Sequence, residues 1–264
     1  MDVATHIDAL CREGALMASA AAAADPQAPV PTCPEWRTRD LVRHTGAVHR
    51  WATRVVVEGR RQPWNVSLDE VVGTWPPDDE LAAWLGQGCD ALEAALRAAP
   101  ADLACWTFLP APSPLAHWAR RQAHETAIHR VDTELAAGTL VTPIDAPFAA
   151  DGVDELLACF APRRRTGLTA EPPRTLSVSC TDDEASWLVR IDADGITTTT
   201  DADGITTTTA GPAGTGVAAD CRVRGAACEL YLALWNRGGT GRLAVSGDGG
   251  PLDLFVDRVH IRWS

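Results

Sequence analysis

In the run from His124 to His129 (His-Glu-Thr-Ala-Ile-His), the carboxylate of Glu125 and the imidazole of His129 stand four residues apart. On a helix such a pair shares one face, at roughly 40° of separation about the axis. A carboxylate and an imidazole side by side make half of a metal site, and a third ligand must come from elsewhere. His44 is the best candidate, because it shares a helical stripe with Leu41, Val48 and Trp51. His49 is the fallback; the two are five residues apart, so only one can point inward. The run resembles the H-E-x-x-H zinc-protease motif but is one residue too long. His124 and His129 lie about 140° apart on a helix, so both cannot hold one ion without distorting it. His124 is expected to point elsewhere, which disfavours a metalloprotease. His6, His117 and His260 have no paired signal and are expected to be structural or exposed.

Two histidines and a carboxylate suit zinc with one open position, and the same set suits ferrous iron. Zinc is preferred, although ligand identity alone does not separate them. A metal of this kind can bind a thiol and deprotonate it, making a nucleophile at neutral pH. Arg121, one turn before Glu125, and Asp132, one turn after His129, are candidates to hold the ligands from outside. For Arg121 the plain alternative is an exposed cation. Arg237 lies in Leu-Trp-Asn-Arg-Gly-Gly after an expected helix. It either clamps a carboxylate through two hydrogen bonds or serves as a cation at a helix C-terminus.

The elements that must position these residues are mostly helices in the first half. An Ala-rich helix spans 3–24 and stops at Asp25-Pro26, since proline cannot continue it. A Pro-rich linker follows, and Thr38 is a plausible cap for a helix running to about 59. A loop rich in Pro and Trp covers 61–77, and Asp78 or Asp79 opens a third helix. Ser113-Pro114 is a good start signal for an amphipathic fourth helix to about 137, ended by Gly138. Four helices with long loops imply a bundle. After about 150 the pattern changes to α+β. A helix is expected at 151–161 and another at 223–236. Strands are expected around Leu176–Cys180, Trp187–Ile191, Leu243–Val245 and Val259–Trp263, with an Asp-Gly hairpin turn at 194–195. The division is thus 1–150 and 151–264. The run DADGITTTT occurs twice, at 192–200 and 201–209. It is expected as a lengthened, exposed hairpin or loop, because a tandem copy inside a paired strand would upset the alternation beyond it.

Composition excludes several classes. The 264 residues carry a net charge of −12, which argues against nucleic-acid binding. No apolar run approaches the ~20 residues that span a bilayer. The apolar stretch 15–24 follows Asp2, Asp8, Arg12 and Glu13, unlike a signal peptide with its basic start. A cytoplasmic chain without membrane or nucleic-acid partners is expected, as monomer or homodimer. Its eight cysteines are scattered, with no C-x-x-C, and are expected to be free thiols, mostly buried as small apolar residues.

Three segments carry a family resemblance. Pro31-Thr32-Cys33-Pro34-Glu35-Trp36 followed by Asp40-Leu41-Val42-Arg43-His44, the helix around His124–His129, and 223–239 followed by 243–248 together resemble the mycothiol-dependent maleylpyruvate isomerase family. The likeness covers essentially the whole chain; the tandem repeat departs from it. It implies an α+β two-domain fold: a DinB-like four-helix bundle, then a smaller α/β sterol-carrier-like domain. It also implies a divalent metal, usually zinc, on His44, Glu125 and His129, with mycothiol as thiol cofactor. An arginine of the second domain, mapped to Arg237, is linked to the active site. The expectation is a metal-dependent enzyme whose activated thiolate adds to a small electrophilic substrate, for isomerisation or S-transfer. The alternatives are a thiol-independent metalloenzyme (lyase, hydrolase or cyclase) and a non-catalytic ligand-binding protein.

Overall fold

The computed structural model describes residues 1–163, 166–200 and 219–261. They form two units, Met1–Thr142 and Pro143–Ser264. The division falls ahead of the expected boundary at 150, because the helix Ala146–Asp154 packs with a helix of the second unit, Ala227–Leu234.

In the first unit, helices α1 (Val3–Ala23), α2 (Thr38–Val57), α4 (Leu81–Ala98) and α5 (Pro114–Ala136) make the bundle; a short α3 (Leu68–Val72) lies in the Pro/Trp loop. Both α1 and α2 pack against α4 and α5, so they sit diagonally across the bundle. The helix ends follow local chemistry. The Asp2 side chain accepts from the Thr5 backbone N–H, and Ser113 Oγ accepts from Ala116 N–H ahead of Pro114. At α2 the cap is Arg37, not Thr38: its N–H donates to Asp40 Oδ2 at 2.9 Å. Thr38 instead bonds the Ala28 carbonyl through its backbone N–H and its hydroxyl. Gly138 closes α5 with φ 68°, a left-handed conformation that costs glycine little.

Two features depart from expectation. The Pro-rich linker is a small antiparallel hairpin, β1 (Pro29–Val30) and β2 (Cys33–Arg37). Val30 is buried in one cluster with Met17, Leu41, Val42, Leu81 and Leu85, and Cys33 and Trp36 pack on it. The other is α5, which is buried along nearly its whole length rather than on one stripe. Its polar side chains therefore need partners inside the protein.

In the second unit, a five-stranded sheet has the order β5-β4-β3-β6-β7. Its strands are β3 (Arg174–Cys180), β4 (Ser186–Asp192), β5 (Gly195–Thr200), β6 (Cys221–Gly225) and β7 (Ala244–Gly247). Only the β3–β6 pair is parallel. Leu176, Val178, Trp187, Val189, Ile191, Cys221 and Val223 fill one face. The helices are α6 (Ala146–Asp154), continued by a wider π turn to Phe160, then α7 (Ala227–Leu234) and α8 (Gly250–Arg258). The expected helix 223–236 thus begins as strand β6. The strand expected at 259–263 is not present in its described part, which follows α8. The first copy of the repeat turns the hairpin and supplies edge strand β5; the second copy lies outside the described residues. All eight cysteines are free thiols; Cys89, Cys159, Cys180 and Cys221 are buried.

Candidate metal centre

Helix α2 contributes His44, and α5 contributes Glu125 and His129 one turn apart. One ligand atom from each lies within 4.8 Å of the others. His44 Nε2 is 3.4 Å from Glu125 Oε1, and His129 Nε2 is 3.2 Å from the same oxygen. The two imidazole rings stand nearly perpendicular, 5.3 Å apart. Glu125 is 3% exposed and His129 5%, so water does little to solvate their charges.

The surrounding groups orient this set. Arg121 Nη2 donates to Glu125 Oε2 at 3.1 Å, leaving Oε1 to face the imidazoles. His129 Nδ1 is 3.0 Å from Asp132 Oδ2, a carboxylate oxygen that can only accept. Nδ1 therefore carries a proton, and in the neutral ring the lone pair sits on Nε2, the atom turned toward Glu125. Thr32 Oγ1 donates to the other oxygen, Asp132 Oδ1. The Trp36 ring lies 4.9 Å from that of His44 and 6.3 Å from that of His129.

Electrostatics follow from this packing. Burial would raise the pKa of Glu125, but His129, the His44 hydrogen bond and Arg121 outweigh it and hold the carboxyl well below the usual range. Burial would lower His129, but Glu125 and Asp132 prevail and lift it to about 9. At His44 burial prevails, and the pKa falls below the ordinary value.

The other sequence candidates lie elsewhere. His49 is fully buried and 2.9 Å from Thr126 Oγ1, whose hydroxyl donates to the Gln122 carbonyl. His49 is thus the donor to Thr126, outside the cluster, and burial pushes its pKa down to about 3. His124 points away from Glu125's partners and meets His6 edge-on, ring centroids 6.1 Å apart. His6 and His117 are buried, and His260 is exposed. In the second unit, Arg237 follows α7, after Asn236 with φ 61°. Its Nη1 donates to the Trp235 carbonyl at 2.9 Å, a position that suits a helix-terminal cation. Thr32 and Trp36 were given no role from sequence. The signal was there: a tryptophan inside a Pro-rich stretch has no reason to be in a solvated linker.

The donor set fits a divalent cation. Two imidazole nitrogens and one carboxylate oxygen converge, with Glu125 held by Arg121 and His129 by Asp132, which matches a three-ligand zinc site with an open position. Glu125 would offer Oε1, the oxygen that faces both imidazoles, while Arg121 holds Oε2.

Family models agree with this architecture. Residues 7–134 match the mycothiol maleylpyruvate isomerase N-terminal domain, and residues 147–254 match the C-terminal domain of the same family. The chain belongs to the mycothiol maleylpyruvate isomerase family. That places it among isomerase-like enzymes. Two solved structures share the family's two-domain fold: mycothiol-dependent maleylpyruvate isomerase, and a histidine-to-alanine variant of it. Each has a TM-score of 0.62 and 14% identity, covering 93% of this chain and 93% of the other. No curated protein matches. No helix among the described residues is long and apolar enough to cross a membrane.

Proposed function

We propose that this chain is a metal-dependent, thiol-using isomerase or S-transferase acting on a small electrophilic substrate. Its ligands are His44, Glu125 and His129, zinc is the first choice of metal, and mycothiol is the thiol. The observation that carries the reading is the convergence of three ligand atoms within 4.8 Å in a chain of this family. When bound, the cation lowers the pKa of a coordinated thiol, and the thiol supplies addition to an electrophilic carbon.

The protein's own part is to bind and to orient. Glu125 brings the negative charge that a dication requires. Arg121 directs that charge by holding the remote oxygen. Asp132 fixes the His129 ring so that Nε2 is the ligand atom. The aromatic face of Trp36 shields the imidazoles on one side. On the family resemblance, Arg237 is proposed to bind a substrate carboxylate as well as the Trp235 carbonyl at the end of α7.

The test is metal content and thiol dependence together. Purified protein is expected to hold about one Zn2+ per chain, as a single three-ligand site requires; His44→Ala loses it. Consumption of an electrophilic substrate such as maleylpyruvate is expected only with added mycothiol. Turnover without thiol would replace the reading with Lewis-acid chemistry. Full occupancy in His44→Ala would remove the ligand assignment.

A second expectation follows from His129. In metal-free protein its pKa of about 9 keeps the ring protonated at neutral pH. A metal on Nε2 must displace that proton, so Zn2+ uptake at pH 7 releases about one proton per site. The sign is fixed: affinity falls as pH drops, and the release vanishes above the His129 pKa. Calorimetric titration in buffers of different ionisation enthalpy measures it; no buffer dependence at pH 7 would contradict it.

A further inference from the structure

We propose that the β1–β2 hairpin sets the ligand geometry of this centre, with Thr32 as a positioning residue that acts through Asp132 on His129. The inference rests on the reading that His44, Glu125 and His129 hold a cation.

Thr32 and Asp132 lie 100 residues apart in the chain, so their hydrogen bond is a tertiary contact, not a local turn. Asp132 is fully buried, and no solvent steadies its carboxylate. One of its oxygens accepts from Thr32 Oγ1 and the other from His129 Nδ1–H. A carboxylate held at one oxygen presents the other along a fixed direction. That direction sets the plane of the His129 ring and the aim of Nε2. The hairpin itself is well anchored. Val30 is buried among α1, α2 and α4 residues, and Thr38 ties the start of α2 to the Ala28 carbonyl. Four residues beyond Thr32, Trp36 lies against both imidazoles. The Pro-Thr-Cys-Pro-Glu-Trp segment thus reaches His129 through Asp132 and both rings through its indole.

Thr32→Val keeps the branched shape and removes the hydroxyl; Thr32 is only half-buried, so folding should survive. Zn2+ affinity, measured by chelator competition, is expected to fall about tenfold, the lower end of what outer partners of a ligand histidine carry. Thr32→Ser restores the hydroxyl and should bind within about twofold of wild type, while Asp132→Asn should lose more than Thr32→Val. In the Co2+-substituted protein, the visible ligand-field bands should shift in Thr32→Val and not in Thr32→Ser. A merely structural role would move neither affinity nor bands in a variant that melts like wild type. Wild-type Zn2+ affinity and an unshifted Co2+ spectrum in Thr32→Val would overturn the inference alone. A wild-type protein that binds neither metal would overturn the ligand reading, and the inference with it.

Discussion

Glu125→Ala is expected to empty the centre and stop thiol-dependent turnover. Outer partners of a ligand histidine carry about 10–100-fold in metal affinity; removing a ligand, and the only anionic one, should cost more than about a hundredfold. The geometry explains why. Glu125 Oε1 is the atom both imidazoles approach, at 3.4 and 3.2 Å. Its loss also removes the carboxylate that accepts from the Arg121 guanidinium, which is 1% exposed. It further removes the main influence lifting His129, so that ring reverts toward the neutral form that burial favours. The comparison with Glu125→Gln is informative. If the cluster were only an ion-pair network, both variants would lose stability and neither would change metal content. Metal analysis of both proteins, with substrate turnover, settles the matter; stoichiometric zinc in Glu125→Ala would sink the assignment.

The second large effect concerns folding. Arg130 is fully buried; its Nε donates to Glu13 Oε2 at 2.8 Å, and its Nη1 to Glu134 Oε2 at 2.7 Å and to the Thr142 carbonyl at 2.8 Å. Glu13 and Glu134 are 1% and 4% exposed. Arg130→Met fills similar space but removes the buried cation between two buried carboxylates, leaving Glu13 with Arg12 and Glu134 with the Thr142 N–H and hydroxyl. Breaking a buried ion pair in this way costs about 3–5 kcal/mol, a large share of the ~5–15 kcal/mol that stabilises a typical domain. The expected result is a sharp drop in the urea midpoint, followed by circular dichroism. Replacing all three residues by apolar ones should recover much of the loss. An unchanged midpoint for Arg130→Met would show that the network carries little.

Spacing made part of this legible. Glu125 and His129 follow from helical periodicity, and Ser113-Pro114 and Gly138 mark the ends of α5 correctly. The choice of His44 over His49 rested on the stripe of α2, and the structure pairs His49 with Thr126 instead. Other features were hidden for physical reasons. Strands of two and five residues containing prolines read as linker, because their order comes from Val30 and Trp36 packing on helices distant in sequence. Strand β6 merges into α7 with only Ala226 between them, so no turn signal separates two periodicities. Helix α5 seemed one-sided because charged residues count as surface until their partners are known. Arg130 and Asp132 find theirs on α1 and on the hairpin, contacts that no local pattern announces.

One helix holds two of the three candidate ligands, the arginine that grips Glu125, and the arginine that pins the bundle. Along α5, reactivity and foldedness draw on interleaved positions, so a random change there taxes both at once. Evolutionary tinkering with substrate choice has little freedom on such a helix, and new specificities would have to be recruited from the segments that surround it.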